Sequence, residues 1–563
     1  MTNPDIKTGP KKTVGGFRHL LITSILFVVF SLVIDCQSKK AILEGDVMLG
    51  GLFPVHQKDL KTKCGAIFKD RGIQRLEAML FALEKINKDP RLLDGIKLGA
   101  IILDTCSSDS YALNQSLEFI RASINTVDAT TFECADGSVP SLKFSTKAIT
   151  GVVGGSYSEV SLQVANLLRL FKIPQISPAS TGTSLSDKTR YDFFARTVPP
   201  DTFQAVALVD LVQSFNWSYV SLVSSEGQYG DSGATAFQRE ARSRNICIAA
   251  SEKISHSATE DVFDAVYASL LQKISARGVV LFTRAEDAAG VLRAAARASR
   301  RGVFTWVASD GWGKQDKLVE GLESAAEGAI TVELQSNEIK GFDEYMKSLT
   351  PQTNQRNPWF DEYWESVFAC TLPKNLPPRN SSSEIADNLP PVCSPNLRLD
   401  ESVGYKQESK VPFVVDAVYA FAHALDKVYK ELCEPRGLGH CNEMRALDGS
   451  RLYLDYILNV SFTDQPKKSR RIREEFDEYY SPAPSQRTCH PGTLAQSMRH
   501  RRVQQESKGA FVVDAVYAFA HALDKVYKEL CEPRGLGHCN EMRALDGSRL
   551  YLDYILNVSF TGK

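Results

Sequence analysis

The stretch GVVGGSYSEVSLQVANLLRLF, Gly151–Phe171, runs from apolar residues through a small polar turn into an amphipathic helical pattern. It reads as a strand, a loop and a helix that begins near Glu159. Such a turn sets backbone N–H groups and the hydroxyls of Ser156 and Ser158 at the positive end of a helix, a setting that suits a carboxylate or phosphate. An ordinary βα turn with an N-capping serine explains the same letters, so the rest of the chain must decide.

The 563 residues are 43% hydrophobic and 24% charged, with a net charge of −1. That is enough to bury a large core in two or more domains, and near-neutrality argues against a nucleic acid as partner. Leu20–Ile34 is an apolar run behind Lys11, Lys12, Arg18 and His19. It reads as the core of a signal peptide over residues 1–38, with a signal anchor as the alternative. No later run is long and apolar enough to cross a bilayer, which makes the chain as written a secreted or lumenal product. Twelve cysteines without a C-x-x-C, and nine histidines that do not cluster, point to disulfides and to no metal or other cofactor. N-x-S sequons stand at Asn114, Asn216, Asn380, Asn459 and Asn557.

Outward from the opening stretch, the pattern alternates. Asp46–Val55 reads as a strand, and Arg71–Asn87 as a helix with Ile73, Leu76, Leu80, Leu83 and Ile86 on one face. Arg71 and Arg75 stand four apart at its start, where cations oppose the helix dipole. A bound anion would offset that cost, and two solvated arginines are the other reading. Leu98–Leu103 is a strand and Ser110–Asn125 a helix, followed by a polar, aperiodic loop over Thr126–Lys147 that holds Cys134. Strands follow at Ala148–Val153, Pro174–Ser177, Tyr219–Ser224, Ile246–Ser251, Gly278–Thr283, Phe304–Ala308 and Ala329–Leu334, with helices between most of them. This alternation predicts an α/β fold with parallel sheets covered by helices on both faces. Ligands in such sheets lie beyond the carboxyl ends of the strands. Gly151–Ser158, Ser177–Thr181, Ser224–Tyr229 and Ala308–Trp312 are all strand ends and could line one cleft.

The runs GDVMLGGLFPVHQ, CGAIFKDRGIQRLEAMLFALEKINKDP, GGSYSEVSLQVANLLRLFKIPQIS, RTVPPDTFQA, FNWSYVSLVSSEGQYGDSG, FTWVASDGWG, NPWFDEYWE and QESKVPFVVDAVYAFAHAL resemble the extracellular domain of metabotropic glutamate receptors. The resemblance spans about Gly45–Thr463. It implies a bilobed clamshell of the periplasmic-binding-protein kind, in which the first lobe takes residues 45–200 and parts of 330–463, and the second takes 201–330. Such a domain dimerises and closes on L-glutamate to switch on a membrane domain that couples to a G protein.

By the same resemblance, the ligand α-carboxylate rests on the Ser158 hydroxyl and the amides at the helix start, with Thr181 beside it, and Ser156, Tyr157 and Ser180 are further ligand-binding positions. The ammonium meets Asp310, the carbonyl of Ala179, Thr181 and the ring of Tyr229, with Asp201 nearby, and the distal carboxylate is held by Arg75, Lys410 and the field of Arg71. Gln315 departs from the pattern, standing where some members of the family place arginine. The resemblance also implies bridges Cys64–Cys106, Cys370–Cys393 and Cys433–Cys441, with Cys134 in its loop joining two subunits, and a dimer contact on the apolar face of Glu159–Phe171 and neighbouring helices, a face that core packing explains equally. Cys247 matches a position that bonds to a following cysteine-rich domain, so it is expected to be unpaired here.

Gln407–Thr463 recurs as Gln505–Thr561, differing only at Val411 and Pro412 against Gly509 and Ala510. A polar linker, Asp464–Gln504, separates the copies. Such near-identity suggests a duplicated exon joined through unspliced sequence, with a genuine repeat as the alternative. The second copy would carry a spare Lys508 and a repeated bridge, Cys531–Cys539, while the family's closing strands, cysteine-rich stalk and membrane helices are missing. No G-x-S-x-G, H-E-x-x-H, G-x-G-x-x-G or phosphate loop occurs, so an enzyme is not expected. The competing reading from another class is a soluble amino-acid-binding or decoy protein, or a receptor for a different amino acid.

Overall fold

A computed structural model describes residues 39–124, 148–298, 302–376, 390–462 and 470–471, apart from 60, 63, 257, 438–440 and 446. The signal-peptide region, Cys134, Asn380 and the whole second copy, with Cys531, Cys539 and Asn557, lie outside them. By contacts the chain divides at Tyr480, and all that follows concerns the first unit.

Its first lobe is a six-stranded sheet in the order β1-β3-β2-β4-β5-β6. The strands are β1 Ala41–Leu43, β2 Val47–Phe53, β3 Leu98–Asp104, β4 Ile149–Gly154, β5 Gln175–Ser177 and β6 Phe194–Arg196. Every residue of β2 and β3 is buried, as expected of central parallel strands covered on both faces. The covering helices are α1 Gly72–Lys88, α2 Asp109–Ile124 and α3 Ser158–Leu168. Ile73, Leu76, Leu80, Leu83 and Ile86 of α1 are all buried, so its periodicity does mark the core face. Two short strands were not read from sequence. β1 pairs antiparallel with the edge of β3, and β6 extends β5, each with only three residues.

The second lobe is parallel throughout, in the order β11-β10-β9-β7-β8. In chain order it runs α4 Asp201–Ser214, β7 Tyr219–Ser225, α5 Gln228–Ser243, β8 Cys247–Ile254, α6 Glu260–Gln272, β9 Gly278–Phe282, α7 Ala285–Arg297, β10 Thr305–Ala308 and β11 Ile330–Thr331. The last strand is much shorter than the sequence suggests. After Val332 donates its amide to Ala308, the chain leaves the sheet, and Glu333 turns toward the other lobe. The chain then returns to the first lobe, where a long helix, Val411–Leu432, buries Val414, Val418, Phe421 and Leu425 in the same core as α1.

Cys64–Cys106, Cys370–Cys393 and Cys433–Cys441 are disulfide-bonded. Cys247, expected to be free, is also disulfide-bonded. It opens β8, the edge strand of the second sheet, where a sulfur can be reached from outside the lobe. The expectation failed because it sought a partner only in a separate domain. Asn114, Asn216 and Asn459 are exposed, as a glycan acceptor must be.

Beside the first disulfide, His56 bridges two acids, with Nδ1 2.5 Å from Asp104 and Nε2 3.1 Å from Glu362. Burial alone would lower its pKa, but the hydrogen bonds and charges of Asp104 and Glu362 more than offset this and raise it to about 9. His56, Asp104 and Cys106 cluster as metal ligands do, yet Cys106 has no thiolate to offer because its sulfur is bonded to Cys64. Since the folded pKa lies above the ordinary 6.5, the ion pair contributes fully below about pH 6.5 and is lost as pH rises through about 9. We expect unfolding free energy to fall by about 2 kcal/mol across that window, and the fall to vanish in His56→Gln. Denaturant titrations at both ends of the window measure it, and a flat profile for the wild type would refute it.

Candidate binding cleft

The Gly154-Gly155 turn after β4 sits at φ +135° and +82°, a conformation that side-chain-bearing residues rarely adopt, and so brings the chain sharply into α3. Ser158 Oγ accepts the amide of Gly182 at 3.0 Å, and Ser180 Oγ donates to the Gly155 carbonyl at 2.8 Å. Ser156 Oγ is buried and has no hydrogen-bond partner among the described residues.

The next strand end, Ser177–Thr181, joins the first lobe to the second. The Thr181 carbonyl accepts the amide of Asp201, the first residue of α4, at 2.9 Å. Asp201 is fully buried. Its Oδ1 accepts from Gln204 at 3.1 Å, and the Thr181 hydroxyl also supports the carboxylate. Burial first, and the negative Asp310 second, push its pKa up to about 8. Gln204 also donates to Asp310 Oδ1 at 3.0 Å, and the Tyr229 hydroxyl donates to the same oxygen at 2.8 Å. Two acids from two strand ends are thus gathered around one amide and one phenol.

The cations complete the cleft. Lys410 Nζ, at the start of the long helix, donates to Asp310 Oδ2 at 3.0 Å and Glu333 Oε1 at 2.9 Å, and all three side chains are under 10% exposed. Burial would lower the pKa of Lys410, but the two carboxylates outweigh it and raise it, while Lys410 in turn overcomes the burial of Asp310 and holds that carboxyl below its usual range. Arg75 grips Glu408 with two bonds, at 3.1 and 2.6 Å. Arg71 reaches Tyr157 at 3.4 Å, Gln315 at 3.4 Å and Glu286 at 3.2 Å.

Further contacts cross between the lobes. Glu159 of α3 accepts the amide of Tyr229, capping α5 of the opposite lobe. Around the mouth, Asp70 pairs with Lys317 and Asp316 with Lys406, both pairs well exposed, alongside the Arg71–Glu286 pair.

Of the twelve positions read from sequence, contacts join Thr181 to Asp201, Tyr229 and Lys410 to Asp310, and Arg71 to Tyr157, while Arg75 lies on Glu408, two residues before Lys410. Their mutual partners Gln204, Glu333, Glu408 and Glu286 were missed. Gln204 lies one turn along α4 from Asp201, and Glu408 two residues before Lys410. Glu333 lies two residues beyond the last strand of the second sheet, in a stretch the sequence reads as strand.

A cleft between two α/β lobes, with acids and hydroxyls from both walls converging on it, is the architecture of a bilobed, periplasmic-binding-protein-like clamshell. The receptor family ligand binding region matches residues 74–466 and again 469–563, and the chain belongs to that family. Its relatives include the metabotropic glutamate receptor of Drosophila melanogaster, 54% identical over 456 residues. Metabotropic glutamate receptor 4 of Rattus norvegicus and of Mus musculus are 47% and 46% identical over 423 residues. These matches cover 75% of this chain and 47%, 45% and 45% of the relatives, so the chain spans about half the length of the curated relatives it matches. It is the extracellular ligand-binding part of metabotropic glutamate receptors that this chain matches. No helix among the described residues is long and apolar enough to cross a membrane.

Proposed function

We propose that the chain is a glutamate-binding ectodomain that holds L-glutamate between its lobes. The observation that carries the reading is the fully buried Asp201, joined through Gln204 to Asp310, which also holds the Tyr229 hydroxyl. Together these groups complement the ammonium of an α-amino acid. The α-carboxylate takes the start of α3 with Ser156, Ser158 and Thr181, and the ammonium takes Asp310, Asp201, Tyr229 and the Ala179 carbonyl. Arg75 and Lys410, with Arg71 nearby, take the distal carboxylate, which selects glutamate. Because the walls belong to different lobes, a ligand touching both favours the closed state. Leu117 and Leu170, 43% and 74% exposed on the α2 and α3 side, suit contact with a second copy. Activation of a G-protein-coupled membrane domain would belong to the longer protein, on the extracellular or lumenal side where disulfides persist.

Asp201 supplies a test. Its folded pKa of about 8 exceeds the ordinary 3.8, so the folded carboxyl keeps a proton between about pH 4 and 8 while the unfolded one has lost it. This group therefore lowers stability as pH rises through that window. A bound ammonium favours the carboxylate and expels the proton. Calorimetry of L-glutamate binding at pH 7.0, in phosphate and in Tris, should give different apparent enthalpies, and Asp201→Asn should abolish the difference. Equal enthalpies for the wild type would remove the ammonium from this position, and no binding by a folded chain would refute the glutamate reading.

A further inference from the structure

We infer that Glu333 sets the affinity of the cleft for an acidic amino acid, by holding the Lys410 ammonium that the ligand's distal carboxylate would require. The inference rests on the reading that the cleft binds L-glutamate through Lys410. Glu333 Oε1 accepts from Lys410 at 2.9 Å and from the amide of Leu334 at 3.0 Å. Its other oxygen packs on Gly313, at φ +49°, where an added Cβ would lie 2.1 Å from it. The Thr331 hydroxyl fastens the same loop by donating to the Gly313 carbonyl at 2.8 Å. The carboxylate is therefore seated by backbone on two sides, and Lys410 meets it with its own side chain 8% exposed.

Lys410 divides its donors between two acids of the opposite lobe, and ligand binding treats those acids differently. Asp310 exchanges one ammonium for another when the amino acid arrives. Glu333 receives no replacement and must share its one ammonium with the ligand's distal carboxylate, buried beside it. A contact that is weakened on binding lowers affinity, and the repulsion between the two carboxylates in a low-dielectric site lowers it further. Removing the charge at this position therefore tightens binding of glutamate. An amino acid without a distal carboxylate leaves the Glu333–Lys410 pair intact and gains nothing from its removal. Glu333 thus governs the ratio between acidic and short neutral ligands as well as the absolute affinity for the former.

Calorimetry on the full chain with L-glutamate and L-alanine tests this in the wild type, Glu333→Gln, Lys410→Gln and the double variant. Glutamine keeps the shape and the bond from Leu334. We expect Glu333→Gln to bind L-glutamate about tenfold more tightly, its affinity for L-alanine to stay at the wild-type value, and the gain to vanish in the Lys410→Gln background. Should Glu333→Gln fail to fold, Glu333→Ala, which removes the same charge, carries the same expectation. A wild type that binds L-glutamate beside a variant that binds it equally or more weakly overturns this inference and leaves the glutamate reading standing. Equal tightening for both ligands overturns it too, since the effect would then act through closure alone. Folded wild-type and variant chains that both ignore L-glutamate overturn the glutamate reading together with the inference.

Discussion

Lys410→Met is expected to abolish measurable L-glutamate binding and to cost about 3–5 kcal/mol of unfolding free energy at neutral pH. The side chain is buried, and its ammonium is the only cation bonded to Asp310 and Glu333 among the described contacts. With it gone, two carboxylates are left in a low-dielectric space a short distance from Asp201, whose own pKa already stands near 8. Uncompensated acids in such a place take up protons, so the variant should recover stability as pH falls toward 5, the opposite of the usual acid sensitivity of ion pairs. Chemical denaturation at pH 7.5 and pH 5.0 measures both effects. A variant as stable as the wild type at pH 7.5 would mean that water reaches the triad, and retained binding would remove Lys410 from the ligand's contacts.

Arg75→Met is expected to lose L-glutamate binding by about two orders of magnitude or more, the worth of two charge-assisted bonds, and to destabilise the fold by about 2–4 kcal/mol. The two losses have separate origins. The stability loss comes from Glu408, half-buried and held by two bonds from the guanidinium. The binding loss comes from the ligand's distal carboxylate. Combining Arg75→Met with Glu408→Gln should therefore restore most of the stability and none of the binding. If the double variant recovered both, Arg75 would serve the fold alone, and selection of glutamate would rest on Lys410.

Much of this cleft was legible in the sequence, because βα alternation fixes where ligands lie and strand ends are easy to find. Ser156, Thr181, Tyr229 and Asp310 each follow or close a strand end, and Arg71 and Arg75 open a helix whose dipole they oppose. The acidic partners were not legible. Glu333 meets Lys410 across 77 positions of chain, and Glu286 meets Arg71 across 215. No period or spacing encodes such a meeting, which exists only once two separately folded sheets face each other. Cys247 illustrates the same limit, since an edge position shows that a sulfur can be reached and leaves its partner open. The short strands β1 and β6 were hidden for another reason, as three residues cannot display a two-residue period.

The exposed pairs at the mouth, Asp70 with Lys317 and Asp316 with Lys406, have a consequence for the medium in which such a clamp operates. Each draws the two rims together through water, over distances at which dissolved ions compete. At an ionic strength of about 0.15 M the screening length is about 8 Å, and at 0.01 M it is about 30 Å. The rims therefore attract one another more strongly in dilute solution than in saline, whereas the buried Lys410 triad scarcely senses the difference. The salinity of the surrounding fluid thus acts as a tonic bias on closure, setting how far the jaws have already travelled before any amino acid arrives.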